Sequence, residues 1–149
     1  MSALWFYHLE RSSLESALAP LLEKCLQRGW RALVRGTIEE RLDHLDEALW
    51  TVRDDSFLPH ARAGRAPADK QPILLTSEAG APNGARAIFL VDGAEPRDIE
   101  AFERTSIMFD GRDEAALVHA RLQWKAAKER ECDIAYWKES DGGRWEKQA

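Results

Sequence analysis

Leu4-Trp5-Phe6-Tyr7-His8-Leu9, then Glu10-Arg11-Ser12-Ser13, then Leu14, Leu18, Leu21 and Cys25 up to Gly29, is the stretch whose reading decides the fold. The first six residues are a dense apolar and aromatic run bounded by polar residues, as in a buried strand. Ser12 and Glu15 have capping-box spacing, and the four residues that follow share one helical face. The order is therefore strand, then amphipathic helix, with Pro20 expected to kink or locally break the helix.

Working outward, the same order repeats. Trp30 to Val34 reads as a second strand. Gly36-Thr37 opens a second helix, with Thr37 and Glu40 again at capping-box spacing. Ile38, Leu42, Leu45 and Leu49 form its apolar stripe. Ile73 to Thr76, Ala87 to Val91 and Arg104 to Phe109 read as further strands, with a short helix from Pro96 to about Phe102. Asp113 caps a long helix to about Arg130, and the remainder is a tail containing Tyr136, Trp137 and Trp145. Thr51 to Gln71 interrupts the pattern: Ser56 to His60 is an apolar island and Ala61 to Pro72 a loop. Alternating strands and helices predict an α/β, Rossmann-like single domain over 1–149, with a mostly parallel sheet, flanking helices and a flexible tail from about 139 to 149.

That fold invites a nucleotide, and the first strand-to-helix turn is where its glycines belong. The turn here has none, and no Gly-Lys-Ser/Thr occurs, so a bound NAD, FAD or ATP is not expected. His8, His44, His60 and His119 are isolated, so no metal site is predicted. The acids Asp43, Asp46 and Glu47 read as a solvated helix face, and no serine sits in a nucleophile elbow. Catalytic residues, cofactors and metals are accordingly predicted to be none.

Composition narrows the class further. The 149 residues are 44% hydrophobic and 32% charged, with a net charge of -5 and a pI near 5.4. A chain of that sign lacks the field for direct nucleic-acid binding. Cys25 and Cys132 form no Cys-x-x-Cys pair, and free thiols are expected. No stretch approaches the ~20 apolar residues of a membrane span, so a cytoplasmic protein is expected. Six tryptophans favour protein interfaces.

Two places could serve one. Trp50, at the end of the second helix, is followed by Phe57, Leu58 and Pro59 in irregular chain; these residues either cap the core or form a docking patch. On the last helix, Ala115, Val118, Leu122 and Ala126 share the face expected to meet the core. Leu117, Arg121, Trp124 and Lys128 fall within about 60° of one another on another face, with Lys125 at its margin. Two readings fit a tryptophan among cations. One is a surface helix with Trp124 half covered by the tail; the other is a shallow pocket for a peptide carrying an aromatic side chain and carboxylates.

At these residues the sequence resembles the chi subunit family of bacterial DNA polymerase III. Leu45-Asp46-Glu47-Ala48-Leu49-Trp50 with Ser56-Phe57-Leu58-Pro59-His60 carries the resemblance, together with Phe6-Tyr7, Glu103-Arg104-Thr105-Ser106 and the Ala-Arg-x-x-aromatic-Lys run ending at Lys125. The resemblance implies a Rossmann-like fold without nucleotide binding and a non-catalytic adaptor of the clamp-loader assembly. It implies that the psi subunit docks on the patch matching Trp50, Phe57, Leu58 and Pro59. It also implies that the acidic, Phe-terminated tail of single-stranded-DNA-binding protein binds at Arg121 and Trp124. Leu117 stands where the family has a lysine, with Lys125 or Lys128 as substitutes, and Trp137 or Trp145 matches the family's C-terminal tryptophan. Two alternatives remain: a helicase accessory reusing the Trp50 patch, and a nucleotide-handling enzyme on the same fold.

Overall fold

In a computed structural model, residues 2–51, 58–65, 67–130, 132–141 and 144–149 are described. One eight-stranded sheet runs through them in the order β3-β4-β2-β5-β6-β1-β7-β8. The strands are β1 (Ala3–Leu9), β2 (Ala32–Arg35), β3 (His60–Arg62), β4 (Ile73–Thr76), β5 (Ala87–Leu90), β6 (Arg104–Asp110), β7 (Asp133–Glu139) and β8 (Trp145–Lys147). All neighbours are parallel except β8, which is antiparallel to β7. The fold is α/β and Rossmann-like.

The direction of each crossover decides which face its helix covers, because parallel connections are right-handed. Helices α1 (Leu14–Gln27) and α2 (Glu39–Thr51) belong to connections that move toward the β3 edge. Both pack on one face, where Leu18, Leu22, Leu42, Leu45 and Leu49 meet Tyr7, Val34, Leu75 and Phe89. Helix α3 (Glu114–Ala127) crosses from β6 over β1 to β7, the opposite direction, and packs on the other face against Leu4, Phe6, Ile107 and Phe109. Strand residues alternate between the two cores, as a two-sided sheet requires.

Several expectations need correction. Ser13, not Ser12, caps α1, accepting a hydrogen bond from the Ser16 amide. Pro20 does not end α1; the carbonyl deprived of its donor is that of exposed Ser16, where water can replace the bond. Ile38 precedes α2 and is 46% exposed, so it is not part of the buried stripe. The helix expected from Pro96 is only a 3-10 turn at Ile99–Ala101.

β3, β7 and β8 replace what read as loop and tail. β3 is held by charge: Arg62 pairs with Glu39 and, at 3.0 Å, with Asp43 of α2, and it donates to the Leu75 carbonyl at 3.2 Å. Cys25 and Cys132 are free thiols on opposite faces of the sheet, Cys25 in one core and Cys132 partly buried against the other. Among the described residues no helix is long and apolar enough to cross a membrane.

Candidate functional site

The turn from β1 to α1 points three backbone N–H groups one way. Their acceptor is the carboxylate of Glu139, at 3.1 Å from the Glu10 amide, 2.8 Å from Arg11 and 2.9 Å from Ser12, with the Ser12 hydroxyl donating as well. Burial alone pushes the Glu139 pKa up. The bonds from Ser12, Arg11 and Glu10 outweigh it and hold the carboxyl at about 2. At this turn a dinucleotide-binding fold places a phosphate on glycine-rich backbone. Here the protein's own side chain fills that position.

The crevice at the C-terminal ends of β5, β6 and β1, where open α/β sheets commonly bind ligands, has a volume of about 770 Å³. Its arginines are already engaged. Arg41 lies 2.8 Å from Asp92, and Arg112 lies 2.8 Å from Asp110 while donating to the carbonyls of Arg11 and Ser12. Among the described residues no cluster of three or more His, Cys, Asp or Glu could hold a metal ion.

Helix α3 differs from its expected orientation. Ala120, Gln123 and Ala127 are buried, and Leu117 and Trp124 pack on the core. Ala115, Val118, Leu122 and Ala126, expected to be the core face, are exposed. The helix is seated through Ala120, Gln123 and Ala127 with Leu117 and Trp124 at their side, and Val118 and Leu122 are turned away from the sheet.

Trp124 is consequently half-buried at the rim of an aromatic group. It stands edge-on to Phe6 at 5.2 Å and to Tyr136 at 5.4 Å, and Phe6 stacks on Tyr136 at 6.2 Å. The parallel register sets Tyr136 beside Phe6 and Trp137 beside Tyr7, so the two β7 aromatics face opposite sides of the sheet. Trp137 lies 5.6 Å from Trp5 in the α1 core and is not part of this group, which corrects its expected place beside Trp124. Tyr136 occupies that place instead. Reading 133–139 as a strand would have revealed this, since parity alone assigns the faces.

Exposed Arg121, Lys125 and Lys128 border Trp124, with the Lys128 ammonium 5.7 Å from its ring. No acid among the described residues forms an ion pair with any of the three. Behind Tyr136, the His8 Nδ1 is 2.7 Å from its phenol oxygen and the His8 Nε2 is 2.8 Å from Glu10. The His8 Nδ1 and the phenol thus share a hydrogen bond, while the Glu10 carboxylate faces Nε2 as a nearby charge. Burial lowers the His8 pKa, against the opposing charge of Glu10, and burial raises that of Tyr136.

Gly111 makes room for the His8 imidazole: a Cβ there would fall 1.8 Å from the His8 Nε2 and 2.9 Å from the Leu9 carbonyl oxygen. Gly111→Ala is expected to cost about 1–3 kcal/mol through overpacking and to detach His8 from Tyr136. A thermal melt unchanged from wild type would refute that expectation.

The Trp50 patch is smaller than expected. Trp50 is 47% exposed, with its ring 4.1 Å from that of His60. Pro59 is half-buried, and Phe57 lies outside the described residues. Leu58, expected on the patch, is only 2% exposed and belongs to the core with Leu45 and Leu49, because β3 draws the chain inward.

The fold is that of a Rossmann-like α/β protein whose first strand-to-helix turn is filled from within and whose last helix carries an aromatic and cationic face. The chain matches the family model "DNA polymerase III chi subunit, HolC" over residues 1–135. It belongs to the DNA polymerase III chi subunit family. It is 28% identical over 99 residues to "Probable DNA polymerase III subunit chi" of Rickettsia prowazekii (strain Madrid E), an alignment that covers 66% of this chain and 58% of that protein.

Proposed function

We propose that this protein is a non-catalytic adaptor of the DNA polymerase III holoenzyme. It joins psi, and through psi the clamp loader, to the acidic C-terminal tail of single-stranded-DNA-binding protein during replication. The observation that carries this reading is the α3 face. Trp124 and Tyr136, set edge to face, offer an apolar aromatic contact for a terminal aromatic side chain, and Arg121, Lys125 and Lys128 stand beside it without acidic partners among the described residues. A ligand combining an aromatic ring with carboxylates satisfies both parts. Family membership supports the replisome context. Glu139 on the first-turn amides supports the non-catalytic half of the reading, since that anion position is already taken. Trp50 is the exposed part of the surface proposed for psi.

Titration with an acidic, Phe-terminated peptide, followed by tryptophan fluorescence, tests the reading. Arg121→Ala and Trp124→Ala should each weaken binding at least tenfold, on the order of 1.4 kcal/mol. Raising the salt should weaken wild-type binding by screening. Trp50→Ala should spare the peptide and weaken psi. Unchanged peptide affinity in Arg121→Ala would defeat the assignment.

A further inference from the structure

Four large hydrophobic side chains are markedly exposed among the described residues, and two of them, Val118 at 51% and Leu122 at 63%, stand one turn apart on α3. At 100° per residue, the helix surface divides into three bands. Leu117, Ala120 and Trp124 face the sheet, and the cations Lys128, Arg121 and Lys125 come next. Val118 and Leu122 follow directly after the cations. The positive band is thus bordered by apolar surface on both sides, by Trp124 on one and by Leu122 on the other.

We propose that this helix takes a longer acidic segment than Trp124 alone would hold. The terminal aromatic of the segment lies on Trp124 and Tyr136. Its carboxylates cross Arg121, Lys125 and Lys128, and an apolar residue upstream of the carboxylates rests on Val118 and Leu122. This rests on the peptide reading above and adds a second anchor to it. Charge complementarity selects the occupant: an apolar partner without acids would leave three adjacent cations unanswered, and a basic one would be repelled.

Geometry sets the spacing. Trp124 and Leu122 are about 160° apart, which on a helix of ~5–6 Å outer radius is an arc of about 15 Å. At ~3.3 Å per extended residue, about five residues separate the two anchors.

The experiment uses two acidic, Phe-terminated peptides of about ten residues, one with leucine and one with serine about five positions before the terminal phenylalanine. Each is titrated into wild type, Leu122→Ser and Trp124→Ala. The expected result is that wild type prefers the leucine peptide about five- to tenfold, and that Leu122→Ser binds both peptides equally at the weaker level. Equal affinity of the two peptides for wild type, or an undiminished preference in Leu122→Ser, overturns the second anchor while leaving the Trp124 site standing. Loss of Trp124 without effect on either peptide overturns both readings. Sedimentation of the free protein should give a monomer, and a dimer abolished by Leu122→Ser would assign the stripe to a second copy instead.

Discussion

Glu139→Ala is expected to lower the melting temperature at pH 7 by roughly 6–12 °C, an effect on the order of 3 kcal/mol. The carboxyl sits at about 2 in the folded protein against an ordinary 4.5. A depressed folded pKa contributes stability that is fully present above the ordinary value and is lost as the pH falls from about 4.5 toward about 2. The difference between wild type and Glu139→Ala should therefore shrink by about half at roughly pH 3. Melts of the two proteins at both pH values test this. A difference that does not change with pH would show that packing, and not the charge on the amides, carries the effect. Alanine also leaves three converging N–H groups without their acceptor, which adds to the cost.

Phe6→Ala is expected to cost about 3–5 kcal/mol, because the ring is fully buried and the close-packed sheet cannot collapse around the void. Phe6 also supports the candidate site from beneath, touching Trp124 and Tyr136 together. Its loss should therefore weaken peptide binding even in protein that remains folded at low temperature. Phe6→Leu refills most of the volume and should recover most of the stability, but not the edge-to-face contact that orients Trp124. Chemical denaturation measures the first effect, and tryptophan fluorescence with the peptide measures the second. A Phe6→Ala protein as stable as wild type would contradict the packing argument.

How legible these features were in the sequence depended on which force places each residue. Leu42, Leu45 and Leu49 are buried by apolar periodicity, and the spacing gave α2 its correct inner face apart from Ile38. The central strands were equally plain, since both of their faces are covered and their residues are apolar in succession. β3 was not, because what fixes Arg62 at the edge is a pair of carboxylates on α2. β7 mixes Ile134, Tyr136 and Lys138 on one face with Ala135, Trp137 and Glu139 on the other, which reads as a tail until a partner strand is known.

On α3 the hydrophobic pattern misled outright. Alanines at 120 and 127 and a glutamine at 123 make up the buried face, and the glutamine is accommodated there by donating to the Ala94 carbonyl and to Glu95. That Arg121 and Trp124 lie near one another on α3 was legible, but the neighbouring Tyr136, His8 and Gly111 were not. They reach the site only through strand register.

The placement of β1 has a kinetic consequence. Its two neighbours are β6 and β7, so residues 3–9 pair with 104–110 and residues 3–8 with 133–138, and with nothing nearer in the chain. A ribosome releases this aromatic strand long before its partners. For most of synthesis Leu4, Phe6 and Tyr7 have no native edge to join, and the central part of the sheet closes only after more than a hundred residues have been made. Folding should accordingly be slow for a chain of this size. Fragments that stop before β6 should aggregate through the unpaired first strand.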